Sequence, residues 1–199
     1  MNSLRKQLIK WREYGKISEV GQIARRAFVN NAFDGILTMI GVVVGNMVVG
    51  VQDARTILVT GLSTAFSIGI SGSWGAYLAE SAERAHALQE LEQFTLTDLQ
   101  DTQIGKASRM AVVTVSIVDG LSPFLAALLV VAPFFFASWF PSVHYVYYTS
   151  MALALLSLFG LGIFLGNISG HNLLVSGLKT AMAGLVCMAI SLLLERMSA

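Results

Sequence analysis

The segment NNAFDGILTMIGVVVGN, residues 30–46, decides the fold because it is an apolar run that carries a single carboxylate, Asp34. A second apolar run, VSIVDGLSPFLAALLVV at residues 115–131, has the same arrangement around Asp119. A charged aspartate at the centre of a membrane-spanning helix costs about 2.5–3.5 kcal/mol on insertion scales. Both aspartates therefore need either a function in the membrane or a polar environment inside the protein.

The composition is typical of an integral membrane protein. Of the 199 residues, 55% are hydrophobic and only 13% are charged, whereas soluble domains carry about 25% charged residues. The formal net charge of +1 indicates no nucleic-acid partner. Cys187 is the single cysteine, which excludes an intrachain disulfide and a multi-cysteine zinc site. The polar, basic N-terminal segment does not have the pattern of a cleavable signal peptide.

The apolar runs predict an all-α, polytopic protein with five transmembrane helices. A helix needs about 20 mostly apolar residues to cross a bilayer. Five stretches meet this requirement, namely residues 32–51, 57–79, 110–137, 145–166 and 173–194. The third is long and contains Pro123 and Pro133, so we expect it to tilt, kink or end near Pro133.

The distribution of Lys and Arg predicts that the N-terminus is cytoplasmic. Residues 1–31, predicted as a basic amphipathic helix, hold seven Lys and Arg residues, and the acidic segment 80–109 holds three. The 138–144 and 167–172 loops hold none. Residues 32–199 then form the transmembrane domain, with 80–109 as a short cytoplasmic helical segment. An outer aromatic belt is predicted from Trp139, Tyr145, Tyr147 and Tyr148.

Asp34 shares a predicted helix face with Thr38, Gly41 and Gly45, because the four residues follow 4-3-4 spacing. This small, polar face suits an ion path, and it equally suits close helix packing, since Gly41-x-x-x-Gly45 is a helix-contact motif. A dimer seam would satisfy both interpretations. The alternative is that Asp34 caps a helix N-terminus.

Asp119 lies deeper in its span, nine residues after Met110. Pro123 follows it by four residues and has no N–H, so the Asp119 carbonyl loses its usual helix partner. A carboxylate and a carbonyl at one place in the membrane suit a cation or a proton. The alternative is a protonated or hydrogen-bonded structural aspartate.

The second span carries a stripe of hydroxyls at helical spacing: Thr60, Thr64, Ser67 and Ser71, followed by Gly75. Hydroxyl groups could line an ion path, and close packing between helices explains them equally well.

The segment after the second span holds six acidic residues against three basic ones. Glu83, His86 and Glu90 fall on one helix face, and two helices that each supply a Glu-x-x-His pair hold metal in di-iron bundles. A homodimer would supply two such pairs. The alternative is a solvated helix in which Glu80 and Arg84 form an i,i+4 ion pair. An acidic vestibule would in either case concentrate cations.

The chain resembles the vacuolar iron transporter family. The resemblance rests on a basic helix leading into FDGILTMIGVVVG, on SIGISGSWGAYLAESAE at the end of span two, and on FLGNISGHNLLVSGLKTAMAGLV near the C-terminus. It implies a homodimer of five-helix protomers that moves Fe²⁺, and often Mn²⁺, out of the cytoplasm in exchange for protons. It places Asp34 in the translocation path and Glu80 and Glu83 in cytoplasmic metal-binding helices.

Two positions depart from the family pattern. Gly72 aligns with a path-lining methionine and Thr64 with a carboxylate, so a thioether and an acid are replaced here. Hydroxyl and carboxylate ligands suit harder ions such as Mn²⁺ or Mg²⁺. The segment 80–109 is also shorter than the cytoplasmic domain of the family.

These features predict a homodimeric exporter of a divalent cation of the Fe²⁺ or Mn²⁺ type, coupled to protons, in a prokaryotic cytoplasmic membrane. Its predicted partners are the metal ion, protons and the lipid bilayer, and no resident cofactor or enzymatic activity is expected. The alternative is a non-transporting membrane scaffold or partner subunit. The predicted metal ligands are Asp34, Asp119, Glu80, Glu83, His86 and Glu90, and the predicted path lining is Thr38, Thr64, Ser67 and Ser71.

Overall fold

The computed structural model describes residues 20–198, with side chains up to residue 193. Over this range the chain is helical and contains no strand. Five helices are long and apolar enough to cross a membrane, which confirms the predicted fold class. They are α1 (Val20–Val48), α2 (Ala54–Thr95), α3 (Gln103–Phe135), α4 (Val143–Ser169) and α5 (Leu173–Ser198), with a 3₁₀ turn at Ala137–Trp139. Residues 1–19 of the predicted N-terminal amphipathic helix lie outside the described part of the chain.

The chain forms two compact units. The first contains residues 20–28 together with Ile70–Leu121, and the second contains Val29–Gly69 together with residues 122–198. The unit boundaries fall inside α1, α2 and α3.

The second unit holds a continuous apolar core. In α1 the fully buried side chains follow helical spacing, with Ile36, Met39, Ile40 and Val43 on one face. They pack in a cluster with side chains from the other helices of this unit, among them Ile57, Val130, Phe134 and Leu158. Gly61 fits this core because a Cβ there would lie 2.8 Å from a methyl group of Val131.

Tyr147 belongs to this core, so its predicted place in an interfacial belt is wrong. Its side chain is buried, and its ring meets that of Phe134 edge-on, with centroids 5.3 Å apart. The Tyr147 hydroxyl donates a hydrogen bond of 2.9 Å to the carbonyl of Val51. A buried tyrosine needs such a partner for its hydroxyl. Trp139, Tyr145 and Tyr148 are exposed.

Helices α4 and α5 form a close hairpin in the second unit. Gly170 caps the C-terminus of α4, and its φ of 68° is the left-handed conformation that glycine adopts readily. A Cβ on Gly162 would lie 2.6 Å from the Cα of Gly177, so the two helix backbones approach closely at these glycines. The Thr180 hydroxyl joins the pair by donating a 2.8 Å hydrogen bond to the Leu158 carbonyl.

Asp53 caps the start of α2. Its carboxylate accepts hydrogen bonds from the backbone N–H groups of Arg55 and Thr56, each 3.1 Å, and from the Thr56 hydroxyl at 2.7 Å. The hydrogen bond from the Thr56 hydroxyl is the main reason that the pKa of Asp53 lies below its ordinary value of 3.8.

The first unit contains the hairpin between α2 and α3. With 42 residues, α2 is about 63 Å long, roughly twice the thickness of a bilayer's hydrocarbon core. Its C-terminal part therefore continues beyond the membrane as one helix up to Thr95. Residues 96–102 form the turn, where the backbone N–H of Leu99 donates a 2.9 Å hydrogen bond to the Glu92 carboxylate. The α3 helix then continues through Pro123 and ends two residues after Pro133.

Candidate ion-translocation site

Asp34 lies in the interior of α1, fourteen residues after Val20, where the described part of the helix begins. The alternative that Asp34 caps a helix N-terminus is therefore wrong, because the amides that follow it are already inside the helix. The Asp34 side chain is exposed, whereas the neighbouring Gly35 is buried. A Cβ on Gly35 would lie 2.7 Å from the Cα of Pro123, so glycine is required for this helix contact. The Asp-Gly pair thus combines a close packing contact with an uncovered carboxylate.

A cavity of about 460 Å³ lies beside Asp34 in the second unit. The polar groups on its wall are the side chains of Asp34, Asn30 and Thr180. Asn30 precedes Asp34 by four residues and therefore lies one helical turn away on the same face. The remaining lining is apolar, from Val29, Phe33, Leu161 and Leu165. A carboxylate and an amide oxygen are both hard donors of the kind that divalent cations bind.

Asn30 and Thr180 are absent from the predicted set of site residues. The position of Asn30 one turn before Asp34 is a signal within the sequence of α1 itself. Thr180 carries no such signal, because it belongs to α5 and reaches the cavity only through the packing of the α4–α5 hairpin.

The face of α1 that carries Asp34 is not covered by the described chain. Asp34, Thr38 and Gly45 are exposed, and Gly41 is partly buried. A Cβ at either glycine would have no contact within 4 Å. These residues form a small, polar face that the described chain leaves open, so a close-packing role for this face requires something outside this protomer.

The hydroxyls of α2 are also on an open surface. In the second unit, Thr60 and Ser67 are exposed and Thr64 is partly buried. The Thr64 hydroxyl donates a 2.8 Å hydrogen bond to the carbonyl of Thr60. A hydroxyl bonded in this way keeps oxygen lone pairs that can still accept a hydrogen bond or bind a cation. Ser71, which belongs to the first unit, is exposed as well.

Asp119 lies in α3 within the first unit and is partly buried. Its backbone carbonyl faces α2, because a Cβ on Gly72 would lie 2.7 Å from this oxygen. The Asp119 carbonyl thus lies against the Cα of Gly72. A methionine at position 72, which the family resemblance leads one to expect, would collide with the main chain of α3.

The acidic residues beyond the membrane are divided between different positions on α2. Glu83, His86 and Glu90 are exposed on one face. Glu80 forms the i,i+4 ion pair with Arg84 that the sequence predicts, with Nε and Oε2 2.8 Å apart. Throughout the described residues, no three His, Cys, Asp or Glu side chains form a group that could hold a metal ion. The predicted ligands therefore do not assemble a complete site within one protomer.

The chain is similar to a known protein family and to an archaeal protein. Residues 25–112, which include most of α1, all of α2 and the start of α3, match the model of the VIT family. The chain is also similar to Uncharacterized protein MJ0645 of Methanocaldococcus jannaschii, with 28% identity over 179 residues, 88% of this chain and 91% of the relative. The resemblance to the vacuolar iron transporter family that the sequence predicts is therefore confirmed over residues 25–112.

Proposed function

We propose that this protein is a membrane transporter of a divalent metal ion, with Asp34 as a ligand in the translocation path. The observation that carries the proposal is the exposed carboxylate of Asp34 in the interior of α1, two residues into the predicted first span, beside a cavity that also contains Asn30. A carboxylate in this position is costly in hydrocarbon and is typical of ion pathways. The match of residues 25–112 to the VIT family supports transport as the function of this protein.

The path is formed between two copies of the chain in this proposal. The open face of α1 supplies Asp34 and Thr38, and the open face of α2 supplies Thr64, Ser67 and Ser71. The small residues Gly41 and Gly45 would allow two α1 helices to approach closely. A second protomer would also double each ligand, and would thereby add donors to those that residues 20–193 of one protomer bring together.

The exposed acidic face of α2 attracts cations before they enter the membrane. We propose that Glu83, His86 and Glu90 attract the cation. Glu80 takes part only when its ion pair with Arg84 breaks. We propose that Asp119 binds the metal or a counter-moving proton, since ionisable side chains within membrane spans are typical of ion and proton pathways. Export from the cytoplasm is proposed because the resemblance to the vacuolar iron transporter family implies it, and the acidic segment that would collect the metal is predicted to be cytoplasmic.

The donor set favours hard cations. Carboxylates, hydroxyls and an amide oxygen are the groups proposed for the path, and they suit Mn²⁺ and Fe²⁺ better than soft ions such as Cu⁺. The archaeal source of the relative MJ0645 supports a prokaryotic cytoplasmic membrane as the location.

Ion flux into proteoliposomes tests the proposal. Vesicles loaded with a metal-sensing dye and a pH dye are offered Fe²⁺, Mn²⁺, Zn²⁺, Mg²⁺ and Ca²⁺ in turn, with protein-free vesicles as the control. We expect entry of Mn²⁺ and Fe²⁺ with proton movement in the opposite direction. Asn30→Ala should reduce the rate by about tenfold, the effect of losing roughly 1.4 kcal/mol of ion stabilisation.

A non-transporting scaffold is the second candidate, and the contact between Gly72 and the Asp119 carbonyl favours it. This contact occupies the position of the path-lining methionine in the resembling family. If a well-folded dimer carries no ion of the panel, the scaffold function replaces transport.

A further inference from the structure

We infer that a cavity in the first unit binds the phosphate headgroup of an anionic phospholipid through Arg84 and Arg109. The cavity has a volume of about 500 Å³ and lies between the C-terminal part of α2 and the start of α3. Pockets for small ligands commonly measure about 300–1,000 Å³, so this cavity can hold a headgroup and the beginning of its chains. The inference is independent of the proposed transport function.

The two arginines on the cavity wall are held in place by other parts of the unit. Arg84 is fixed by Glu80 through its Nε atom at 2.8 Å. Arg109 donates from Nη2 to the backbone carbonyl of Gln100 at 2.9 Å. Each guanidinium carries five N–H donors, so most remain available for a ligand after these bonds. Their planar fork matches the oxygens of a phosphate group.

The charge of the lining favours an anion over a cation. Glu92 is the one carboxylate among the described lining residues, and its Oε1 already accepts a hydrogen bond from the Leu99 amide. Glu83, His86 and Glu90 project from the opposite face of α2 and do not line the cavity. The wall thus presents two guanidiniums, of which that of Arg84 is paired with Glu80 outside the wall, and one engaged carboxylate.

The cavity has charged side chains where a lipid headgroup would bind and apolar side chains where the acyl chains would begin. Tyr77, Val112 and Val113 line one part and belong to the predicted second and third membrane spans. Arg84 follows the end of span two by five residues, about 8 Å along the helix, and Arg109 immediately precedes span three. These distances place both guanidiniums in the headgroup layer, next to apolar walls within the hydrocarbon. A soluble phosphate would make no use of those walls.

Lipid-dependent thermal stability tests the inference. The purified full chain in a neutral detergent is titrated with dioctanoyl phosphatidylglycerol, with dioctanoyl phosphatidylcholine, and with glycerol 3-phosphate as the headgroup without chains. We expect a saturable rise of several degrees in Tm with phosphatidylglycerol, and native mass spectrometry should show one bound lipid per protomer. Phosphatidylcholine and glycerol 3-phosphate should have little effect at the same concentrations.

Variants identify the site. Arg109→Gln, at an exposed side chain, should raise the lipid concentration for half-maximal stabilisation at least tenfold, and Arg109→Lys should have a smaller effect. Arg84→Lys serves at the second position, because it keeps the charge beside Glu80 while removing the fork. Arg55→Gln, before the membrane span at the other end of α2, is the matched control and should bind lipid as the wild type does.

Three results would overturn the inference. The first is equal stabilisation by phosphatidylglycerol and phosphatidylcholine, and the second is an unchanged lipid response in Arg109→Gln. The third is tight binding of glycerol 3-phosphate that accounts for the whole effect, which would assign the cavity to a soluble phosphate.

Discussion

Gly72 lies against the backbone carbonyl of Asp119, so closely that a Cβ at position 72 would be 2.7 Å from the carbonyl oxygen. Asp119 precedes Pro123, which has no backbone N–H, by four residues. The contact joins α2 to α3 within the first unit. A glycine in SGSWG thus packs against the main chain at an aspartate four residues before a proline.

Substitution of Gly72 should destabilise the protein. Gly72→Ala forces the helices apart and should cost about 1–3 kcal/mol, as overpacking commonly does, and Gly72→Met should cost more. Thermal unfolding in detergent measures the effect. Gly160→Ala is the control, because Gly160 is helical and exposed and a Cβ there would meet nothing within 4 Å. Equal Tm values for the Ala variants at 72 and 160 would refute the packing role of Gly72.

Removing the Tyr147 hydroxyl should destabilise the second unit. Tyr147→Phe keeps the ring contact with Phe134 but leaves the Val51 carbonyl without its 2.9 Å hydrogen bond. The expected loss is about 0.5–1.5 kcal/mol of the free energy of unfolding. Tyr148→Phe changes an exposed hydroxyl in the same helix and should leave the Tm unchanged. The interpretation is wrong if both variants behave alike.

Asp53 should make stability depend on pH in the acidic range. Its pKa is lower in the folded protein than its ordinary value of 3.8, chiefly because of the hydrogen bond from the Thr56 hydroxyl. A lowered pKa means that its contribution is fully present above the unfolded pKa and is lost as pH falls through the folded pKa. Asp53→Asn should therefore narrow the difference in Tm between pH 6 and pH 3. A pH profile identical to that of the wild type would contradict the capping role.

Bulky substitutions on the open face of α1 should prevent dimerisation. Gly41→Leu and Gly45→Leu meet no atom of the described chain at their Cβ positions, so the protomer should fold. We expect monomers by size-exclusion chromatography with light scattering, whereas the wild type and Gly160→Leu should be dimers. Dimers of unchanged stability in both α1 variants would exclude this face as the seam.

The helices could be predicted from sequence because an apolar run of about 20 residues can cross a membrane as a helix, in which every backbone polar group is hydrogen-bonded within the segment. The run that contains Asp34 predicted a span, and the 4-3-4 spacing predicted its polar face. Hydropathy alone does not give the position of Asp34 within α1, because the helix already extends from Val20 through the basic residues before the apolar run. Hydropathy marks where a membrane begins and does not mark where a helix begins.

The surroundings of the candidate site depend on tertiary contacts that local patterns do not encode. Thr180 reaches the Asp34 cavity only because α4 and α5 pack closely at Gly162 and Gly177. Tyr147 looked interfacial by its position among Trp139, Tyr145 and Tyr148, and it is buried because α4 turns that side toward Phe134. Proposed ligands that come from a second protomer likewise leave no trace in the spacing of one chain.

The most direct test of the central claim compares two aspartates of the same chain by metal flux in proteoliposomes. Asp34→Asn removes the carboxylate proposed for the path, and Asp53→Asn removes an exposed carboxylate that caps α2. With equal amounts of folded protein, Asp34→Asn should abolish Mn²⁺ entry and the opposing proton movement, while Asp53→Asn should retain both. Undiminished flux through Asp34→Asn would contradict the account.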